Sequence, residues 1–158
     1  MSGFALLMDV TARVLLGLYF LVPGLSKIPG FDAMVTYMST HGVPFTVPLL
    51  VLTTALQIGG GLALIASWQT RIVAFLLAGL TLAINVFMHD FWNVYEGLDQ
   101  GHETQNFIKN LGIFAGLLLL AARGAPQLSL DARRSVRART AQVAFFARCK
   151  PIPIQPES

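Results

Sequence analysis

Four long apolar runs dominate the chain, at about residues 4–25, 47–66, 72–88 and 106–122. Hydrophobic residues fill these windows on every side instead of alternating with polar ones. That is the pattern of helices that cross a bilayer. It predicts an all-α integral membrane protein, a bundle of four transmembrane helices. Between the first two runs, Phe31, Met34, Val35 and Met38 recur at i, i+3, i+4 and i+7. That spacing puts one apolar stripe on a short helix. Asp32 suits its first turn, and Gly42 and Pro44 end it. Such a helix lies on the membrane surface or covers the mouth of a pocket. His41, at its end, is expected to be a solvated loop histidine.

Polar residues interrupt the runs at a few positions. In the first, the uncharged part is only 12 residues, 14–25. At ~1.5 Å per residue it spans about 18 Å, short of a ~30 Å hydrocarbon core. The helix must therefore begin earlier and carry Arg13 within it. Asp9 lies four residues before Arg13, on the same face, and can pair with it. The pair either anchors the helix at the interface or faces the bundle interior. The second run carries Gln57 and the triplet Gly59, Gly60 and Gly61. The glycines allow close approach by a neighbouring helix. Gln57 must face other helices, as an interhelical tie or as a ligand contact. Asn85 and His89 sit one turn apart at the end of the third run. Asn106, Lys109 and Asn110 share a face at the start of the fourth, where Gly112 and Gly116 form a GxxxG packing step.

Composition agrees with the pattern: 54% of the 158 residues are hydrophobic and 12% are charged, against about 25% charged in soluble domains. One domain is expected at this length, a membrane unit over residues 1–126 followed by a tail, 127–158. The net charge of +3 hides a strong asymmetry. Seven of the eleven basic residues are Arg123, Arg133, Arg134, Arg137, Arg139, Arg148 and Lys150. Basic residues stay on the cytoplasmic side, so the tail and Arg71 place both termini there. The loop with Glu96, Asp99 and Glu103 is then outside, and its stretch 93–105 reads as an ordinary acidic loop. Phe91, Trp92 and Tyr95 supply an aromatic belt at that interface. The tail is expected to form a basic amphipathic helix on the inner leaflet, with a disordered proline-rich end. It carries no zinc or RNA-binding motif, and nucleic acid is not an expected partner. The single cysteine, Cys149, excludes an internal disulfide and a CxxC pair and reads as an idle thiol. Asp9 and Arg13 interrupt the run where a signal peptide would be clean, so no cleaved leader is expected.

Certain stretches taken in order bring a family into view. They are RVLLGLYFLVPGLSKIPGF (13–31), GVPF (42–45), LQIGGGLALI (56–65), TRIVAFLLA (70–78), FMHDFW (87–92), NFIKNLGIFAGLLLL (106–120) and LSLDAR (128–133). Together they resemble the DoxX family of small four-helix bacterial inner-membrane proteins. The resemblance covers roughly residues 10–133. It implies association with quinone-linked redox complexes: the family takes its name from a subunit of a thiosulfate:quinone oxidoreductase or quinol oxidase. Some relatives are described as membrane partners of sulfur-transfer and superoxide-detoxifying enzymes. The polar positions that carry over are Arg13, Lys27, Arg71, His89, Asn106, Lys109 and Asn110. Gln57 departs from the pattern, since members often have glutamate there. A glutamine exchanges no proton near neutral pH, which puts a proton relay through that position in doubt.

The candidate chemistry sits near the outer ends of the third and fourth spans. A metal site from His41, His89 and His102 has no supporting spacing, and haem lacks paired intramembrane histidines; neither is expected. Asn85, His89, Asn106, Lys109 and Asn110, with Gln57 deeper and Lys27 at the same end, either tie the helices together or bind a ligand. Lysine, histidine and asparagine can donate to the two carbonyl oxygens of a quinone. His89 can also carry a proton, and Asp90 beside it is the expected modulator. The function expected is a quinone-binding inner-membrane subunit that acts with a protein partner, as an oxidoreductase subunit if it is catalytic. A non-catalytic scaffold anchoring its partner through the tail is the alternative, and a small transporter the third. Homo-oligomerisation is open.

Overall fold

The computed structural model describes residues 2–94, 97 and 99–124. The basic tail 127–158, its Cys149, and Tyr95 and Glu96 of the outer loop lie outside the described residues. The order of elements is α1 (Gly3–Ser26), α2 (Phe31–Thr40), α3 (Thr46–Ala66), α4 (Thr70–Met88) and α5 (Gln100–Arg123). All five are α-helices. Four of them, α1, α3, α4 and α5, are long and apolar enough to cross a membrane. The 19 residues of α4 measure about 28 Å, close to the ~30 Å core.

Local chemistry sets the helix ends. Ser2 caps α1, its Oγ accepting from the Ala5 N–H at 3.3 Å. Between α3 and α4 the chain reverses within three residues. Ser67 (φ 54°) and Gln69 (φ 51°) both adopt the left-handed conformation. The Trp68 N–H reaches back to the Ala63 carbonyl at 2.8 Å, satisfying an orphan carbonyl at the end of α3. At the end of α5, Gly124 takes φ 71° and its N–H meets the Leu120 carbonyl at 2.8 Å. Arg71 Nη2 donates to the Arg123 carbonyl at 3.3 Å, a cation at a helix C-terminus where the dipole favours it.

The fourth spanning helix starts at Gln100, not near Asn106. Asp99 is the cause: its side chain accepts from the Gly101 N–H at 2.8 Å, and Glu103 follows in the first turn. Both place negative charge at a helix N-terminus. Residues 100–105, expected as loop, are therefore helix.

Helix α1 packs along α3, α4 along α5, α3 joins the two pairs, and α2 lies on α3. Phe20, Leu64, Ala74, Leu77, Ala78 and Leu117 form the main core. The apolar stripe of α2 packs on a second cluster of Met38, Leu50 and Met88, so α2 covers the bundle. His41 follows it inward. It is 8% exposed, sits tilted against the Tyr37 ring with centroids 4.4 Å apart, and places Nδ1 2.9 Å from the Tyr37 carbonyl; it is not a solvated loop residue.

The distribution of polarity is that of a protein in lipid. Phe75, Ile108 and Leu15 face outward, while Arg13, Gln57, Thr81, Asn85 and Asn110 are buried. In a bilayer the apolar outer face meets acyl chains, and polar groups find partners inside. Arg13 is only 2% exposed and has Asp9 Oδ2 at 2.8 Å from Nη2. The pair faces the interior, not only the interface.

The glycines sort by direction. Gly61 meets α1, and Gly60 meets Leu77 of α4, while Gly59 has open space where a Cβ would sit. Gly112 and Gly116 also face open space, so their GxxxG step packs no helix among the described residues. The inward face of α5 is set by Asn110 and Leu117. At about 100° per residue, Gly112 falls on the opposite side and Gly116 on the flank.

Candidate functional site

A polar cavity of about 210 Å³ lies between the ends of α1, α3, α4 and α5. Each helix contributes by its register. Tyr19 and Pro23 of α1 and Lys27, the residue that caps its end, line it at i, i+4 and i+8, one stripe of the helix surface. Gln57 reaches it from α3, Thr81 and His89 from α4, and Asn106, Lys109 and Asn110 from α5. Of the six ligand candidates named from the sequence, the cavity wall gathers Gln57, His89, Asn106, Lys109 and Asn110. Asn85 is set apart. It is 1% exposed and its amide Nδ2 donates to the Phe107 carbonyl at 3.2 Å, tying α4 to α5.

The wall is a set of short hydrogen bonds between helices. Lys27 Nζ donates to Gln57 Oε1 at 2.7 Å, and the Tyr19 hydroxyl donates to Asn110 Oδ1 at 2.8 Å. Lys109 Nζ donates to Asn106 Oδ1 at 2.8 Å within α5. His89 Nδ1 lies 2.6 Å from Glu103 Oε2. Glu103, and not Asp90, is thus the partner of His89; Asp90 Oδ2 accepts from Asn93 Nδ2 at 2.6 Å. A carboxylate on Nδ1 favours the tautomer with its proton there. Nε2 is then left with its lone pair, on a ring that borders the cavity. Burial pushes the Lys27 ammonium below its usual range.

Two apolar clefts continue from the polar space. One of about 180 Å³ shares Lys27, Ile84 and His89 with it and is otherwise lined by residues such as Met34, Leu50 and Met88. The next, of about 300 Å³, shares Met38, Thr53, Ile84 and Met88 with the first cleft. It runs on between Leu49, Leu56 and Phe87. The succession is polar, then amphipathic, then apolar, and suits a ligand with a polar head and a greasy tail. Above the α4 end, Phe91 and Phe107 meet edge to face at 5.2 Å, and Trp92 and Phe107 at 5.9 Å.

Tyr19 on the wall was absent from the sequence-derived set, and so was Glu103, which holds His89 from outside the cavity lining. Tyr19 falls on one stripe with Pro23 and with Lys27, which the sequence already places at this end of the bundle. Glu103 shares a stripe with Asn106 and Asn110, at i, i+3 and i+7, but only once the helix start moves back to Asp99. His102 is exposed and outside the cavity.

The comparisons agree with this architecture. The family model described as DoxX matches residues 8–90. The inner membrane protein YqjF of Escherichia coli is 38% identical over 123 residues, covering 77% of this chain and 88% of that protein. The inner membrane protein YphA of the same organism is 32% identical over 122 residues, covering 77% and 86%. The ER-derived vesicles protein ERV29 of Saccharomyces cerevisiae is 26% identical over 94 residues, covering 60% and 30%. No solved structure matches.

Proposed function

The chain belongs to the DoxX family, and from that premise we propose that it is an inner-membrane subunit that binds a quinone headgroup. The observation that carries this is the polar cavity opening into two apolar clefts through Lys27, Ile84 and His89. A quinone needs donors for two carbonyl oxygens and an apolar slot for its ring and tail. Lys27 and Lys109 each give one hydrogen bond to a neutral amide and keep two donors each for a ligand. The Asn106 amide nitrogen adds another. Two of its relatives are named inner membrane proteins, and this chain is assigned to the same membrane. Arg71 and Arg123 mark one end of the bundle and Asp99 and Glu103 the other. By the positive-inside rule the cavity lies toward the periplasm and both termini toward the cytoplasm. A quinone held there would supply redox chemistry in concert with a protein partner. The residues here hold it, exclude water, and offer His89 Nε2 to a hydroxyl proton.

The test is quinone content after purification in a mild detergent, by solvent extraction and mass spectrometry. The parent should retain quinone in near-stoichiometric amount, and His89→Ala and Lys109→Ala should lose most of it. Equal quinone in parent and variants, or none in the parent, defeats the proposal.

A further inference from the structure

Among the described residues, the buried guanidinium of α1 and the imidazole on the cavity wall each have a carboxylate beside them. Arg13 has Asp9 at 2.8 Å, and His89 has Glu103 at 2.6 Å. Lys27 differs. It is half-buried, and among the described residues its hydrogen-bond partner is the neutral Gln57, at 2.7 Å. Across the same cavity Lys109 donates to the neutral Asn106. Among the described residues, no aspartate or glutamate lines the cavity. Glu103 stands behind the wall against His89, and Asp90 Oδ2 accepts from Asn93. Withdrawing a cation from water costs free energy that a neutral amide returns only in part; a counter-charge returns more.

We infer that the cavity binds an oxyanion, a phosphate, carboxylate or sulfonate group, seated between Lys27 and Lys109 and carried on an apolar tail lying in the adjoining clefts. Lys27 and Lys109 have free N–H donors of the kind an oxyanion accepts. Asn106 completes the rim through its amide N–H groups. The apolar clefts begin at Lys27 itself, so the charged head and the tail meet at one residue. Gln57 is the specificity determinant. A carboxylate in its place would sit on Lys27 Nζ and neutralise it from within. As it stands, the protein provides the cation and leaves the negative charge to the ligand. The inference goes beyond the quinone proposal and does not rest on it, because a neutral quinone brings no charge.

The experiment is thermal unfolding of the full chain in a neutral maltoside detergent, followed by tryptophan fluorescence. Three pairs of additions are compared: phosphatidylglycerol against phosphatidylcholine, decanoate against decanol, and sodium phosphate against sodium chloride at equal ionic strength. The anionic amphiphiles should raise the parent's Tm by several degrees over their uncharged or zwitterionic partners. Gln57→Glu should raise the ligand-free Tm and abolish that difference; Lys109→Gln, at an exposed position, should reduce it without harming the fold. A response to phosphatidylglycerol alone identifies a membrane lipid as the source, and one to decanoate alone identifies a free organic acid. Either supports the site. A response to phosphate equal to that of the amphiphiles supports the oxyanion and overturns the role of the tail. Equal responses to charged and uncharged probes overturn the inference, as does a response that Gln57→Glu and Lys109→Gln share in full with the parent. Quinone content measured on the same samples separates the two proposals: loss of the anion response with quinone retained leaves the quinone site standing.

Discussion

Gly17 and Gly61 meet backbone to backbone where α1 crosses α3. A Cβ added to either would lie 2.7 Å from the carbonyl oxygen of the other. Such an oxygen belongs to a helix and cannot swing aside as a side chain can. Gly61→Ala should therefore force the helices apart and cost about 1–3 kcal/mol, the usual range for overpacking. Gly59→Ala and Gly112→Ala place their methyl groups in open space and should cost nothing. Unfolding in mixed micelles with increasing sodium dodecyl sulfate measures the difference.

The Asp9–Arg13 pair should behave as an internal charge pair. Asp9→Asn leaves Arg13, 2% exposed, without its counter-charge. Breaking a buried pair from one side costs about 3–5 kcal/mol. Because Asp9 retains 19% exposure, the lower part of that range is expected. The double variant Asp9→Leu/Arg13→Met removes both charges and should recover most of the loss. The same denaturant titration, run as a double-mutant cycle, reads the coupling.

Tyr19 and Asn110 join α1 to α5 across 91 residues of sequence. Tyr19→Phe deletes the donor and leaves Asn110 Oδ1 without its partner in a residue only 5% exposed. The expected loss is about 1–3 kcal/mol. Glu103→Gln, which keeps an acceptor for His89 Nδ1–H, should cost less than Glu103→Ala. Stability and quinone content measured on all three variants separate the helix tie from ligand binding.

Lys27 should give stability a pH dependence of definite sign. Burial lowers its folded pKa below the ordinary 10.5, so between the two values the unfolded chain binds more protons. Stability then rises with pH in that window. Below the folded pKa the ligand-free protein bears the full cost of the half-buried charge. Lys27→Met removes it, so the variant's Tm advantage should be largest near neutral pH and shrink as pH approaches 10.5. A gap that stays constant or widens over pH 7 to 10 would contradict this assignment.

Much of the architecture was legible along the chain. The four spans appear within a residue or two of their apolar runs, except α5, whose start was masked by its polar composition. Asp99 caps that helix through one local hydrogen bond, which an apolar pattern does not register. The α2 stripe was equally plain. Five of the six ligand candidates reach one cavity wall, because intramembrane polar residues have nowhere else to go. What escaped was the pairing: Glu103 with His89, Lys27 with Gln57, Tyr19 with Asn110.

The sequence by itself determined that this chain crosses a membrane four times and where its polar residues fall along each helix. Run length and residue type are properties of the single chain, and the bilayer converts them directly into spans. The tertiary structure alone decided how each helix is rotated. Lipid and protein interior are both apolar, so hydrophobicity does not distinguish the inward face of α5 from the outward one. Only the contacts among the described residues show that Gly61 packs while Gly112 does not. Rotation and helix pairing together bring Lys27 to a neutral glutamine on the cavity wall.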